Sequence, residues 1–161
     1  MNKAILPDNA RIWIFQADRK MVRDEILRIN EKTLEFLSHW STHGKPLKAG
    51  AEVLYNVFLI LSVDESEFNA SGCSLDKLFH FIKRLELDFD IRFLDRDMVA
   101  LLDRDDIRFE RIDILKSQIK EGKIGAKSII FNNLVSSKRQ METDWKIPLE
   151  QSWLKKYLPV N

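Results

Sequence analysis

One cysteine, five glycines and four prolines are few for a chain of 161 residues, and no stretch of it is strongly apolar over any length. The lone Cys73 cannot close an internal disulfide, which fits a reducing compartment. The longest apolar run, Val57 to Leu61 extended by Ser62 and Val63, is far shorter than the ~20 residues needed to span a bilayer. No membrane association is therefore expected. Charge of one sign is missing as well: 26 Lys and Arg face 25 Asp and Glu, for a net charge of +1. No run of basic residues exceeds two. Because the phosphate term dominates nucleic-acid affinity, a surface without clustered cations argues against nucleic acid as a partner. Met1-Asn2-Lys3-Ala4-Ile5-Leu6-Pro7-Asp8 has no apolar core of the kind a signal peptide needs, so the cytoplasm is the expected location.

Nucleotide and metal motifs are absent too. A phosphate loop needs Gly-x-x-x-x-Gly-Lys-Ser/Thr, so that backbone amides and the lysine hold phosphates. Gly122 and Gly125 are too close together for it, and no Gly-x-Gly-x-x-Gly occurs. The acids Asp95, Asp97, Asp103, Asp105 and Asp106 crowd a short stretch. A calcium loop needs an oxygen ligand at every second position and a central glycine. Counting from Asp95 puts Val99 and Ala100 in those places; counting from Asp103 puts Ile107 at the fifth. These acids read as turn formers and strand ends. A Mg²⁺ site assembled with Asp64 stays open as the less favoured reading. His39 and His43 have i, i+4 spacing, but no Glu follows His39 and no third ligand accompanies them. No cofactor and no metal is expected.

What is present is enough for a core. Hydrophobic residues make up 45% and charged residues 32%, a mixture that folds rather than staying disordered. The length suits one domain. Arg11–Gln16 is rich in aromatic and β-branched residues and reads as a strand. Val22, Ile26, Ile29, Thr33, Leu37 and Trp40 recur at helical spacing within 21–41. Residues 49–55 and 57–63 read as two strands, joined by a hairpin or a bend at Tyr55-Asn56. A helix over 74–89 follows, with Ser74 as its cap and Leu75, Leu78, Phe79, Ile82, Leu85 and Phe89 on its apolar face. Residues 98–102 and 107–112 read as a second hairpin. Then come a short helix over 114–121 stopped by Gly122, a strand at 128–131, and a helical tail over 137–158. The expected class is α+β in a single domain over 1–161. Its β-α-β-β-α-β start matches the ferredoxin-like order, followed by an added hairpin, strand and tail.

The most chemical segment is Ser71-Gly72-Cys73-Ser74. A cysteine just before a helix start feels the positive end of the dipole, which favours the thiolate. A thiol enzyme also needs a base within reach, and His39 or His43 would have to be brought there by the fold. His80, seven residues beyond Cys73, is about 10 Å along a helix. The candidate catalytic set is thus Cys73, Ser71, Ser74 and His43, against the plainer reading of a capped helix with a small packed cysteine. Leu149, Trp153 and Tyr157 line up at i, i+4, i+8. With Trp145 they form an apolar set that packs on its own domain or on a second protein, since Trp and Tyr anchor interfaces.

Several segments together carry a resemblance: Ile12-Trp13-Ile14-Phe15-Gln16-Ala17-Asp18-Arg19, His39-Trp40-Ser41-Thr42-His43-Gly44-Lys45-Pro46, Val63-Asp64-Glu65-Ser66, Ala70-Ser71-Gly72-Cys73-Ser74 and Ile130-Phe131-Asn132-Asn133. They resemble a family of small uncharacterised bacterial proteins often labelled "ABC transporter ATPase". The label implies ATP hydrolysis, whereas the phosphate loop, the strand-end Asp-Glu pair and the Leu-Ser-Gly-Gly-Gln signature of that activity are not in the chain. The expected function is a small binding or regulatory module that self-associates. The alternative is a thiol enzyme or redox sensor using Cys73.

Overall fold

Strand and helix alternate through the first half of the chain because apolar period-two segments alternate with period-3.6 segments. In a computed structural model residues 6–160 are described; residues 1–5, which carry most of the reading of the chain's start, and Asn161 lie outside the described residues. The fold is α+β, with four α-helices and nine strands in antiparallel sheets among the described residues. The chain divides into two compact units. One comprises residues up to Leu94 with Ser136–Arg139, the other Asp95–Val135 with the residues from Gln140 onward.

The first unit begins with β1 (Arg11–Gln16) and α1 (Arg23–His39). A two-residue hairpin of β2 (Ser41–Thr42) and β3 (Lys45–Pro46) follows, then β4 (Lys48–Leu54), β5 (Phe58–Asp64) and α2 (Gly72–Phe89). Its three-stranded sheet has the order β1-β5-β4, with Trp13 and Ala51 both opposite Leu61. The central strand β5 is nearly all apolar, and Phe58 through Leu61 are buried although their side chains alternate between faces. The β4–β5 connection is the tight hairpin. Tyr55 and Asn56 both take positive φ, 54° and 56°, and the Val57 N–H donates to the Leu54 carbonyl at 3.1 Å. A turn of that hand matches the twist of the strands it joins.

Strands β1, β5 and β4 lie in the order the ferredoxin-like pattern requires, but its fourth strand does not join them. The strand after α2 is β6 (Met98–Asp103), and it sits in a separate four-stranded sheet. Glu86 Oε1 accepts from the Phe93 and Leu94 N–H groups at 2.8 and 2.9 Å, and Asp95 Oδ1 accepts from Asp97 at 2.8 Å. These local bonds turn the chain after α2, and β6 then pairs with its sequence neighbour. The outer edge of β1 is met instead by the 136–137 segment: Arg11 bridges Ser137, and the Ile12 N–H donates to the Ser136 carbonyl at 3.0 Å.

The second unit contains β6, β7 (Asp106–Arg111), α3 (Ile112–Lys120), β8 (Ile129–Phe131), most of α4 (Lys138–Asp144) and β9 (Lys146–Pro148). Its sheet order is β7-β6-β8-β9. Val99, Leu101, Leu115, Ile119, Ile130, Ile147, Leu149 and Leu154 form its core. The expected helical tail holds over Lys138–Asp144 and is corrected beyond it. After α4 the chain pairs as β9, with Ile147 opposite Ile130, and then makes two 3-10 segments, Leu149–Gln151 and Trp153–Tyr157, broken at Ser152. Ser152 accepts from the Leu154 N–H with its side chain and so restarts the second segment. Leu149, Trp153 and Tyr157 therefore share no continuous helical face. Among the described residues no helix is long and apolar enough to cross a membrane.

Candidate functional site

Helices α1 and α2 pack antiparallel against the three-stranded sheet of the first unit. Trp40, at the end of α1, meets Ser74 at the start of α2, while Lys32 meets Asp88 near the end of α2. The negative end of one helix dipole thus lies beside the positive end of the other.

At the start of α2 the structure brings together much of the segment that sequence reasoning singled out. The cap is Ser71, not Ser74. Its hydroxyl accepts from the Ser74 N–H at 3.2 Å, and the two serine hydroxyls are 2.9 Å apart. Ser74 is buried, and its Oγ donates to the Ser41 carbonyl at 2.8 Å. The Trp40 indole N–H donates to the Ser74 carbonyl at 2.9 Å. The His-Trp-Ser and Ser-Gly-Cys-Ser segments are therefore tied to each other, and both serines are engaged in holding the helix start. Cys73 lies inside the first turn of α2 rather than ahead of it, and it is exposed. His43 is exposed in the turn of the β2–β3 hairpin with φ 47°, followed by Gly44 at 75°. Because α1 stops at His39 and Trp40 is extended, His39 and His43 are not on one helical face. Among the described residues no side-chain hydrogen bond joins Cys73 or His43 to a partner, and no group of three or more His, Cys, Asp or Glu side chains is placed to hold a metal ion.

The other end of the helix pair is closed as well. Arg19 donates to both Glu25 oxygens at 2.9 and 2.8 Å and to the Phe89 carbonyl at 3.0 Å, which ties the start of α1 to the end of α2. Glu25 Oε2 also accepts from the Val22 N–H at 2.9 Å. The Arg19 guanidinium, hydrogen-bonded to it, holds the Glu25 carboxyl below its ordinary value, and Glu25 in turn raises Arg19.

Between these two closed ends, a groove of about 570 Å³ runs along α1 and α2. Its floor is aromatic. Phe36 and Phe81 stack with centroids 4.4 Å apart and planes 5° from parallel, and Phe36 lies 5.5 Å from the buried Trp40. Trp13 of β1 meets Trp40 edge-on at 5.9 Å, so the row of rings reaches back into the sheet. Lys32, Phe36 and His39 share one face of α1, with Trp40 just past its end, and Lys77, Phe81, Arg84 and Asp88 share one face of α2, because residues three and four apart are neighbours on a helix. The rim carries Lys32, Lys77 and Arg84 against Glu35 and Asp88, with His39 and His80 beside them. Lys32 and Asp88 pair at 3.2 Å across the groove. Sequence reasoning named neither Phe36 nor Phe81. Each stands one position from a main apolar residue, Leu37 and Ile82, so an aromatic at the border of the polar face on both helices is the signal that could have found them.

In the second unit Trp145 is buried, its ring 5.1 Å from that of Phe131, and its indole N–H donates to Asn133 Oδ1 at 3.0 Å. Trp153 is 41% exposed. Tyr157 packs on the second unit's core, with its ring faced by lysines.

No protein-family model, no curated protein and no solved structure matches the chain.

Proposed function

We propose that this chain is a small cytoplasmic binding or regulatory module, and that the groove between α1 and α2 seats a short acidic segment of a partner protein with one apolar or aromatic anchor. The observation that carries the reading is the stacked Phe36 and Phe81 floor inside a rim where three cations outnumber two carboxylates. The volume falls in the range of ligand clefts, roughly 300–1,000 Å³. Aromatic rings supply contact area, while the surplus of positive rim charge selects acidic sequences and speeds encounter. No bond is made or broken in this reading. Catalysis by Cys73 has less support, since neither the thiol nor His43 has a hydrogen-bonded partner among the described residues.

The test is fluorescence anisotropy of a labelled peptide with a central Trp or Phe flanked by Glu and Asp, titrated with the full chain. The same peptide with Lys in place of the acids is the control. The acidic peptide is expected to bind, and Phe81→Ala and Arg84→Glu are each expected to weaken it about tenfold, the equivalent of ~1.4 kcal/mol. Equal binding of the acidic and basic peptides, or indifference to both substitutions, removes the reading.

A second reading, self-association, is favoured by the exposed indole of Trp153. Sedimentation equilibrium of the wild-type chain and of Trp153→Ala tests it: a dimer weakened by the substitution supports it, and a wild-type monomer at high micromolar concentration ends it. ATP hydrolysis, implied by the resemblance to proteins labelled as ABC transporter ATPases, forms no part of either reading. A nucleotide titration of the full chain that gives no signal agrees with that.

A further inference from the structure

The second unit carries a feature that the groove leaves unexplained. Three ammonium groups converge on one tyrosine. Lys116 Nζ lies 5.0 Å from the centroid of the Tyr157 ring, Lys156 Nζ 5.2 Å and Lys120 Nζ 5.6 Å. The local structure makes this possible. Lys116 and Lys120 are one helical turn apart on α3, while Tyr157 and Lys156 end the second 3-10 segment, which packs on α3. The ring is anchored, since Tyr157 packs against the core that holds Leu115, Ile119 and Leu154.

Attraction of a cation to an aromatic face explains part of this arrangement. A ring has two faces, however, and the third ammonium has none to itself. Two ammonium groups that share a face of the ring repel one another within the ~8 Å screening length of physiological salt. Carboxylates do not relieve the repulsion. Asp113, Glu121 and Glu150, on or beside the same elements, pair with Arg111, Lys123 and Lys127 respectively. Among the described residues no carboxylate pairs with Lys116, Lys120 or Lys156. The Tyr157 hydroxyl responds to the same field: it is held below its ordinary value, first by hydrogen bonding to Lys116, with the charges of Lys116 and Lys156 adding to it and desolvation opposing.

The geometry points to an anion site in which Lys116, Lys120 and Lys156 surround a phosphate-class oxyanion and the Tyr157 hydroxyl donates to it. Lysine binds phosphate as a compact, mobile point charge, and three such groups around a fixed phenol suit a tetrahedral anion with several negative charges. This ligand chemistry is independent of the groove in the first unit and would stand if the peptide reading failed.

The experiment uses the full ¹⁵N-labelled chain, titrated at matched ionic strength with sodium pyrophosphate, sodium phosphate, phenyl phosphate and sodium chloride. Saturable shifts confined to the backbone amides around residues 112–120 and 153–157 are expected with the phosphate-class anions and not with chloride. Lys116→Met with Lys156→Met should weaken pyrophosphate binding at least tenfold, and Tyr157→Phe severalfold, with the melting temperature of each variant measured to show that it folds. Phenyl phosphate binding more tightly than inorganic phosphate would identify a phosphoryl group carried on a larger molecule as the ligand. The reverse order would identify the free anion. Non-saturable shifts equal to those of chloride, or pyrophosphate binding unchanged in a folded double lysine variant, would overturn the site.

Discussion

The two ends of α2 and its middle stretch behave differently. At the start, Ser71, Ser74, Trp40 and Ser41 satisfy one another through hydrogen bonds of 2.8–3.2 Å. At the end, Arg19 grips Glu25 and the Phe89 carbonyl. Between them Phe36 and Phe81 line an open groove, and Lys77 and Arg84 stand on its rim. A distinctive sequence segment can thus be distinctive because its serines are engaged internally. A segment of ordinary charged and aromatic residues can be the one left available for a ligand. Buried polar groups need partners, and Ser74, buried, has its hydroxyl hydrogen committed to the Ser41 carbonyl.

Trp40→Ala offers the largest way to break this contrast. Trp40 is fully buried, joins the aromatic row to the sheet and bonds the α2 start. Its truncation should lower stability by roughly 3–5 kcal/mol in a denaturant melt. A loss below about 1 kcal/mol would show that the helix start is not held as described. Ser74→Ala removes the donor to the Ser41 carbonyl and leaves that oxygen without this bond; a loss of about 1–3 kcal/mol is expected. Ser71→Ala, which removes the cap acceptor and the contact with the Ser74 hydroxyl, should cost about 1 kcal/mol.

The Arg19 end gives a pH test. Glu25 titrates below its ordinary value of 4.5 in the folded chain, so its contribution to stability is complete above that pH. It is lost as the pH falls through the lower, folded value, because the unfolded chain then binds the proton first. In acid-side melts Glu25→Gln should flatten this part of the pH dependence, and high salt should shrink the difference because Arg19 is partly exposed. Identical acid slopes for wild type and variant would show the pair to be inert.

The smallest effects sharpen the contrast at the helix start. Thr42 is buried, and its Oγ1 has no hydrogen-bond partner among the described residues. Thr42→Val should therefore be neutral or stabilising by up to ~1 kcal/mol, since it removes an unpaired hydroxyl and keeps the shape. Cys73→Ala at its exposed position should change stability by no more than ~0.5 kcal/mol. Alkylation of Cys73 in the native chain, followed against pH, checks the thiol reading directly: a rate that tracks an ordinary thiol leaves the enzyme alternative without support.

Much of the fold can be read from local pattern. The β1 and β5 strands, the apolar stripes of α1 and α2, the β6–β7 hairpin and the stop at Gly122 follow from period, turn chemistry and backbone sterics, all of which act over a few residues; at Tyr55-Asn56 the sequence leaves hairpin and bend open, and the structure makes the hairpin. The departures lie where distant residues compete. The sequence places the cap at Ser74, but the Ser41 carbonyl and the Trp40 indole, more than thirty positions away, draw Ser74 inward and leave Ser71 to cap. The C-terminal stripe fits a helix by spacing alone, yet Ile147 finds Ile130 across a strand pair and the period is broken.

Sequence alone determined the class of the fold, the identity of most core positions, and the absence of a phosphate-loop or EF-hand motif, because those depend on residue type and short-range periodicity. Only the tertiary structure decided that the fourth strand leaves the first sheet, that the serines beside Cys73 are engaged with Trp40 and Ser41, and that Phe36 meets Phe81 while three lysines meet Tyr157. Those outcomes rest on contacts between residues far apart in the chain, whose hydrogen bonds and ring packing have no counterpart in local spacing.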